Sequence, residues 1–211
     1  MLSYKNFRYI FPPRPKNAIN PNELQFWDNG SMIGQIKTNG SNGVIFMNEM
    51  DIYIYNRHGQ RMTNHNLHHE ELRSIYSGKG WMVINGEVLN KSKKDELGNN
   101  FNGNFIIFDI LVHNSEYLVG KTFLERVELL EKLYGKNSVD KDYLYSISEK
   151  IHLVKSFESG FKNLFDDLTP VDMIEGVVLK RKNAKLEIGN TENNNYKSQI
   201  KSRKVTKNYK F

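Results

Sequence analysis

Gln35-Ile36-Lys37-Thr38-Asn39-Gly40 sets a lysine at the end of an apolar run, two residues before an Asn-Gly pair. Met32 to Lys37 has the composition of a short strand, and Asn-Gly is a strong turn signal. On its own, this lysine reads as a surface side chain beside a turn. Its weight comes from the short groups that follow in order. These are Arg57 in Tyr55-Asn56-Arg57-His58-Gly59, Gly86-Glu87, Phe108-Asp109, Glu175-Gly176 with Lys180, and a basic run with Lys201 and Arg203.

The chain around these groups is an ordinary globular one. Its 211 residues are enough for one domain with a real core. Charged residues make up 26% and apolar ones 38%, and 12% are aromatic, which argues against disorder over most of the length. The absence of cysteine excludes disulfides, thiol catalysis and cysteine-ligated zinc. No apolar run reaches membrane-spanning length and the first residues do not lead into a signal-peptide core, so the expectation is a cytoplasmic protein with no membrane partner. A formal net charge of +6 suits a polyanionic partner, nucleic acid or nucleotide. The Asn- and Lys-rich composition points towards an AT-rich genome, such as a viral one.

Strand signals dominate. Met32 to Lys37, Val44 to Met47 and Asp51 to Tyr55 are short β-branched or aromatic runs separated by Asn/Gly turns, and the third alternates. Trp81 to Leu89 and Asn104 to Val112 are stronger, the second nearly continuous in apolar residues as a central strand would be. Thr122 and Glu125 form a capping box ahead of Phe123, Val127, Leu130 and Tyr134 at helical spacing, with Gly135 placed to end the helix. Ile151 to Val154 reads as a strand, Phe157 to Leu168 as a helix and Val177 to Lys182 as a strand. Pro21-Asn22-Glu23-Leu24 opens a short helix after an extended Phe11-Pro12-Pro13-Arg14-Pro15. Asn183 to Asn195 reads as a polar loop, and a basic tail from Lys204 closes the chain. The fold class is α+β, with mostly antiparallel sheets around a cleft.

In this order the groups resemble the motifs of the covalent nucleotidyltransferases: ATP-dependent DNA and RNA ligases and mRNA capping enzymes. The resemblance covers Gln35 to Arg203 and is nearest to an RNA ligase. It implies a single nucleotidyltransferase (ATP-grasp-like ligase) domain over residues 1–211, its sheets flanking a nucleotide cleft. Lys37 is then the catalytic residue, attacking the α-phosphate of ATP to give a lysyl-AMP intermediate. A free lysine is neutral at pH 7 only about once in a few thousand molecules, so the site must favour the neutral amine. The resemblance further implies ATP-binding roles for Gln35, Ile36, Gly40, Arg57, Glu87, Phe108, Lys180, Lys201 and Arg203. Glu175 and Glu87 would hold Mg2+ (or Mn2+).

Each residue type suits its implied role. Gln35 offers an amide to the purine edge, and Gly40 leaves room beside a phosphate. The planar fork of Arg57 suits a phosphate or ribose, and Phe108 presents a flat face to the purine. Phe108 equally reads as plain core. Asp109 is harder to explain that way, because an unpaired buried carboxylate is costly. Glu175 and Lys180 lie five residues apart and point to opposite sides of an ideal strand, so either a bulge or a strong twist at Gly176 would bring both to one cleft. Alternation puts Lys201 and Arg203 on one face, although Lys204 leaves the register ambiguous. His65, His68 and His69 lack carboxylate or cysteine partners at fixed spacing, and read as a polar helix face rather than a metal cluster.

Two positions depart from the family pattern: Asn39 replaces the commoner aspartate, and Asn42 stands where DNA ligases and capping enzymes carry an arginine. Arg203 also replaces a second lysine. The chain stops eight residues after Arg203, where DNA ligases and capping enzymes continue into an OB-fold domain. The expectation is a minimal, monomeric ATP-dependent RNA ligase without an OB-fold domain, its basic tail at 204–211 gripping RNA. The alternatives are a minimal DNA ligase acting on DNA ends, a capping guanylyltransferase, and a nucleic-acid-binding scaffold without chemistry.

Overall fold

The computed structural model describes residues 17–89, 93–135, 139–140, 142–187 and 198–205. The Pro-rich lead-in at 11–15, residues 188–195 of the Asn-rich loop and the tail beyond 205 lie outside the described residues. Among the described residues two sheets flank one cleft. The smaller runs β1 (Asn17–Ala18), β12 (Gln199–Arg203), β11 (Ile174–Arg181) and β2 (Met32–Thr38). The larger runs β4 (Ile52–Asn56), β3 (Ser41–Met47), β5 (Met82–Val88), β6 (Phe105–His113), β10 (Ile151–Val154), β9 (Leu144–Ser146) and β8 (Val139–Asp140). A short β7 (Glu116–Tyr117) pairs with β6. Pairing is antiparallel except between β6 and β10 and between β1 and β12. The fold is α+β.

The turn at Asn39-Gly40 does more than close a hairpin. It carries the chain from the last strand residue of the smaller sheet, Thr38, to the first of the larger, Ser41. Gly40 is required there by packing. A Cβ at this position would lie 2.3 Å from the Val88 carbonyl oxygen, so the turn rests directly on the end of β5. The steric demand is therefore set by the protein's own backbone, where the sequence suggested a phosphate.

Helices cover the sheets. Helix α1 (His69–Ser74) packs near β4; His68 caps it and His65 precedes it, so only His69 of the three histidines lies within a helix. Helix α2 (Phe123–Tyr134) starts at the Thr122–Glu125 capping box and buries Phe123, Val127, Leu130 and Tyr134. Helix α3 (Phe161–Leu168) begins four residues later than the sequence pattern indicates. Gly160 takes a left-handed φ of 71°, and Phe157 is held extended by two backbone hydrogen bonds with Gly34, of 2.8 and 2.9 Å. Gly34 also admits α3, since a Cβ there would lie 2.7 Å from the Phe161 ring. Phe161 is fully buried with Leu24, Val177 and Leu179 under the smaller sheet. Full burial of one such side chain is worth about 2–3 kcal/mol, so this small cluster fixes the sheet against α3. No helix among the described residues is long and apolar enough to cross a membrane.

Candidate nucleotide site

The strand register of the smaller sheet builds the cleft floor. Gly176 of β11 pairs with Lys37 on one side and Arg203 on the other; Val178 pairs with Gln35 and Lys201; Lys180 pairs with Ile33 and Gln199. Side chains alternate with period two, so Gln35, Lys37, Lys180, Gln199, Lys201 and Arg203 share one face. All six line a cleft of about 560 Å3. The facing wall comes from the larger sheet: Asn42, Glu87, Ile106, Phe108 and Val154, with Asn56, Arg57 and His58 at the end of β4. A volume within roughly 300–1,000 Å3 suits one nucleotide.

Every ATP-binding position expected from sequence lines this cleft: Gln35, Ile36, Gly40, Arg57, Glu87, Phe108, Lys180, Lys201 and Arg203, together with Lys37. Glu175 is not among the lining side chains but is tied to two that are. Lys37 Nζ donates to Glu175 Oε2 at 2.6 Å, and Arg203 donates to Oε1 at 3.0 Å. Of the bulge and the strong twist, the structure has the bulge: the β11–β2 register shifts between Ile174 and Gly176. A Cβ on Gly176 would lie 1.9 Å from the Ser202 carbonyl oxygen, which ties the bulge to glycine. Lys204 leaves the floor altogether, its Nζ donating to the Thr169 and Val171 carbonyls, so the register ambiguity resolves in favour of Lys201 and Arg203.

Glu87 accepts from the Gly40 N–H at 3.0 Å. Burial pushes its carboxyl up to about 7, against the pull of Lys37 and that N–H, and the nearby Glu175 charge adds to the rise. Two carboxylates thus flank the Lys37 amine. Asn42 donates to Asn85 Oδ1 at 2.8 Å and to the Gly86 carbonyl at 3.2 Å, so its side chain is knitted into β5. The Arg57 Nε–H donates to His58 Nε2 at 3.1 Å.

Lys180 differs from expectation. The family resemblance places it near the phosphates, but its ammonium donates to Gln35 Oε1 at 2.7 Å and to the Phe108 carbonyl at 3.4 Å. It also lies 4.8 and 4.6 Å from the centroids of the Phe108 and Phe123 rings. Its position is two residues along β11 from the Val178 row and four from the Gly176 row, which carries Lys37 and Arg203.

Asp109 proves to be structural. Its carboxylate receives two hydrogen bonds from Arg126, at 2.8 and 3.0 Å, and both residues are almost wholly buried. Arg126 is easily overlooked in the sequence, where an arginine in an amphipathic helix reads as part of the polar face. Its spacing of three from Phe123 is the signal that could have found it, since i and i+3 share a helix face. Sequence reasoning also missed His58 and Gln199 as cleft residues, and Ser156 as a partner of Gln35. Gln199 was legible from its alternation with Lys201 and Arg203; Ser156 was not, because a loop hydroxyl carries no pattern.

Residues 84–199 match the family model described as ATP dependent DNA ligase domain. No curated protein matches the chain. Among solved structures, the mycobacterial DNA ligase D complexed with ATP and MES superposes with a TM-score of 0.62 at 15% identity, covering 96% of this chain and 62% of that one. The ligase domain of LigD from M. tuberculosis gives 0.60 at 16% identity, covering 90% and 59%. A Lig E DNA ligase gives 0.53 at 13% identity, covering 92% and 69%. The chain therefore spans about three fifths of the first two structures, and at these identities the likeness is one of fold.

Proposed function

The chain belongs to the family of ATP-dependent DNA ligase domains, matched over more than half its length, and from that premise we propose that it is a polynucleotide ligase working through AMP carried on Lys37. The observation that carries this reading is the Lys37–Glu175–Arg203 arrangement at one end of a nucleotide-sized cleft. Lys37 Nζ attacks the α-phosphorus of ATP. A P–N bond forms, the bond from that phosphorus to the bridging oxygen breaks, and pyrophosphate leaves. The ammonium must first release a proton, and Glu175 at 2.6 Å is placed to accept it. Lys201 and Arg203 share the floor with Lys37 and are placed to hold the α-phosphate as charge develops. AMP then passes to a strand's 5′-phosphate, and a 3′-hydroxyl displaces it to form the phosphodiester.

Glu87 and Glu175 supply hard oxygen donors beside Lys37, and a cation would offset the charge that burial disfavours on Glu87. That donor chemistry fits Mg2+ (or Mn2+), which takes one or two carboxylates together with substrate phosphates. Bound there, it would neutralise phosphate charge in the reaction. The described part of the chain acts as one nucleotidyltransferase domain.

For the strand, the family model favours DNA ends. RNA ends are favoured by Asn42, which binds β5 where the family's DNA-sealing members carry an arginine. Intact mass after incubation with ATP and Mg2+ tests the first step: a gain of one AMP, absent in Lys37→Ala, is expected. An adduct that persists in Lys37→Ala moves the nucleophile elsewhere. Sealing of nicked DNA against nicked RNA by the same preparation then decides the strand.

A further inference from the structure

We infer that Lys180 is a positioning residue that makes the cleft select adenine, by locking the side-chain amide of Gln35 in one orientation. The inference rests on the nucleotide-binding reading above and deepens it. Gln35 lies on the cleft floor with its side chain nearly buried, 2% exposed. Its amide has two acceptor lone pairs and two N–H donors. One lone pair is taken by Lys180 Nζ at 2.7 Å, and one N–H is given to Ser156 Oγ at 3.3 Å. One acceptor and one donor remain for a ligand. That pair matches adenine's Watson–Crick edge, where the N6–H donor lies beside the N1 acceptor and one amide can bond to both.

On the same edge guanine reverses both groups, with the O6 acceptor beside the N1–H donor. A free amide would accommodate it by flipping oxygen for nitrogen. Here the flip is blocked, since an ammonium has three donors and no acceptor, and a flipped Gln35 would turn its NH2 on them. Lys180 is itself enclosed: it is 6% exposed, lies against the Phe108 and Phe123 rings, and donates to the Phe108 carbonyl. Phe108 is on the cleft wall, so the same cation braces both the ring a purine would stack on and the amide that would read its edge. Turning the amide against Lys180 would lose a buried, charge-assisted hydrogen bond and create a donor–donor contact.

The test compares equilibrium binding of AMP and GMP, and adduct formation with ATP and GTP, for the full chain and four variants. Lys180→Arg keeps a donor-only cation and should preserve the preference for adenine. Lys180→Met removes the lock and should reduce the AMP-to-GMP binding ratio at least about tenfold, chiefly by admitting GMP. Gln35→Leu provides a reading that does not depend on Lys180 folding correctly. It should lose selectivity to a similar extent, with no further loss in the Lys180→Met/Gln35→Leu double variant. An unchanged ratio in folded Lys180→Met or in Gln35→Leu would overturn the inference while leaving the ligase reading intact. Failure of the unaltered protein to bind either nucleotide would remove both.

Discussion

Glu175 receives the Lys37 ammonium on one carboxylate oxygen and Arg203 on the other, at 2.6 and 3.0 Å. Lys37 lies on β2 and Arg203 on β12, with β11 between them. The bulge at Glu175-Gly176 thus lets one carboxylate join both outer neighbours of its own strand. In the proposed reaction Glu175 would have two roles: holding the Lys37 amine and the Arg203 guanidinium in register, and accepting the proton of the amine it binds.

Glu175→Ala removes both roles. The rate of AMP adduct formation should fall by about 10²–10⁴-fold, the range for losing a positioned acid–base group. Glu175→Gln keeps the hydrogen-bonding shape without the charge and should also fall by at least about 10²-fold. Single-turnover mass spectrometry measures both. A Glu175→Gln rate within about threefold of the unaltered protein would remove the proton-acceptor role.

Arg126→Met leaves Asp109 buried and unpaired, and should destabilise the fold by about 3–5 kcal/mol. Asp109→Leu/Arg126→Met removes both charges and should cost less than the single change. Urea unfolding followed by circular dichroism compares them. If the double variant is the less stable, the pair contributes more than charge compensation.

Glu87 gives the fold a pH dependence. Its folded value of about 7 lies above the usual 4.5, so the buried carboxyl stays protonated over a range in which the unfolded chain is ionised. The stability this confers is complete below about pH 4.5 and is lost as pH rises through 7. Glu87→Gln does not titrate and keeps an oxygen for the Gly40 N–H. Measured in chelator, the variant should match the parent at pH 4.5 and exceed it at pH 8 by about 3 kcal/mol at most. Stability curves that stay parallel from pH 4 to 8 would show that Glu87 ionises freely.

Gly40→Ala puts a methyl group 2.3 Å from the Val88 carbonyl, and both atoms belong to constrained backbone. A cost of about 1–3 kcal/mol is expected, with adduct formation reduced because the turn adjoins Lys37. Thermal unfolding and adduct yield should fall together; an unchanged melting temperature would mean that the turn has room to shift.

Much of this site is legible in the sequence because it is written in alternation. Gln35 and Lys37, and Lys201 and Arg203, are spaced two apart on strands, so their shared face follows from local pattern alone. The bulge at Gly176 is legible for a similar reason: Glu175 and Lys180 have the wrong parity to meet in a regular strand. The partner of a buried charge is not legible. Arg126 and Asp109 lie 17 residues apart on different elements, and only the packing of α2 against β6 brings them together. Lys180 shows the same limit. Its place in the motif is plain, but whether its ammonium turns to phosphate or to Gln35 depends on a strand 145 residues away. The late start of α3 reflects a competition that propensity does not contain, Phe157 being held by Gly34 before helix can form.

The passage from one sheet to the other takes only Asn39 and Gly40, directly after the Lys37 strand. Three Cα steps of about 3.8 Å join Thr38 to Ser41, so covalent length alone keeps these two points within about 11 Å. At this end of the cleft the two walls cannot part further than that, whatever happens to the side-chain packing between them.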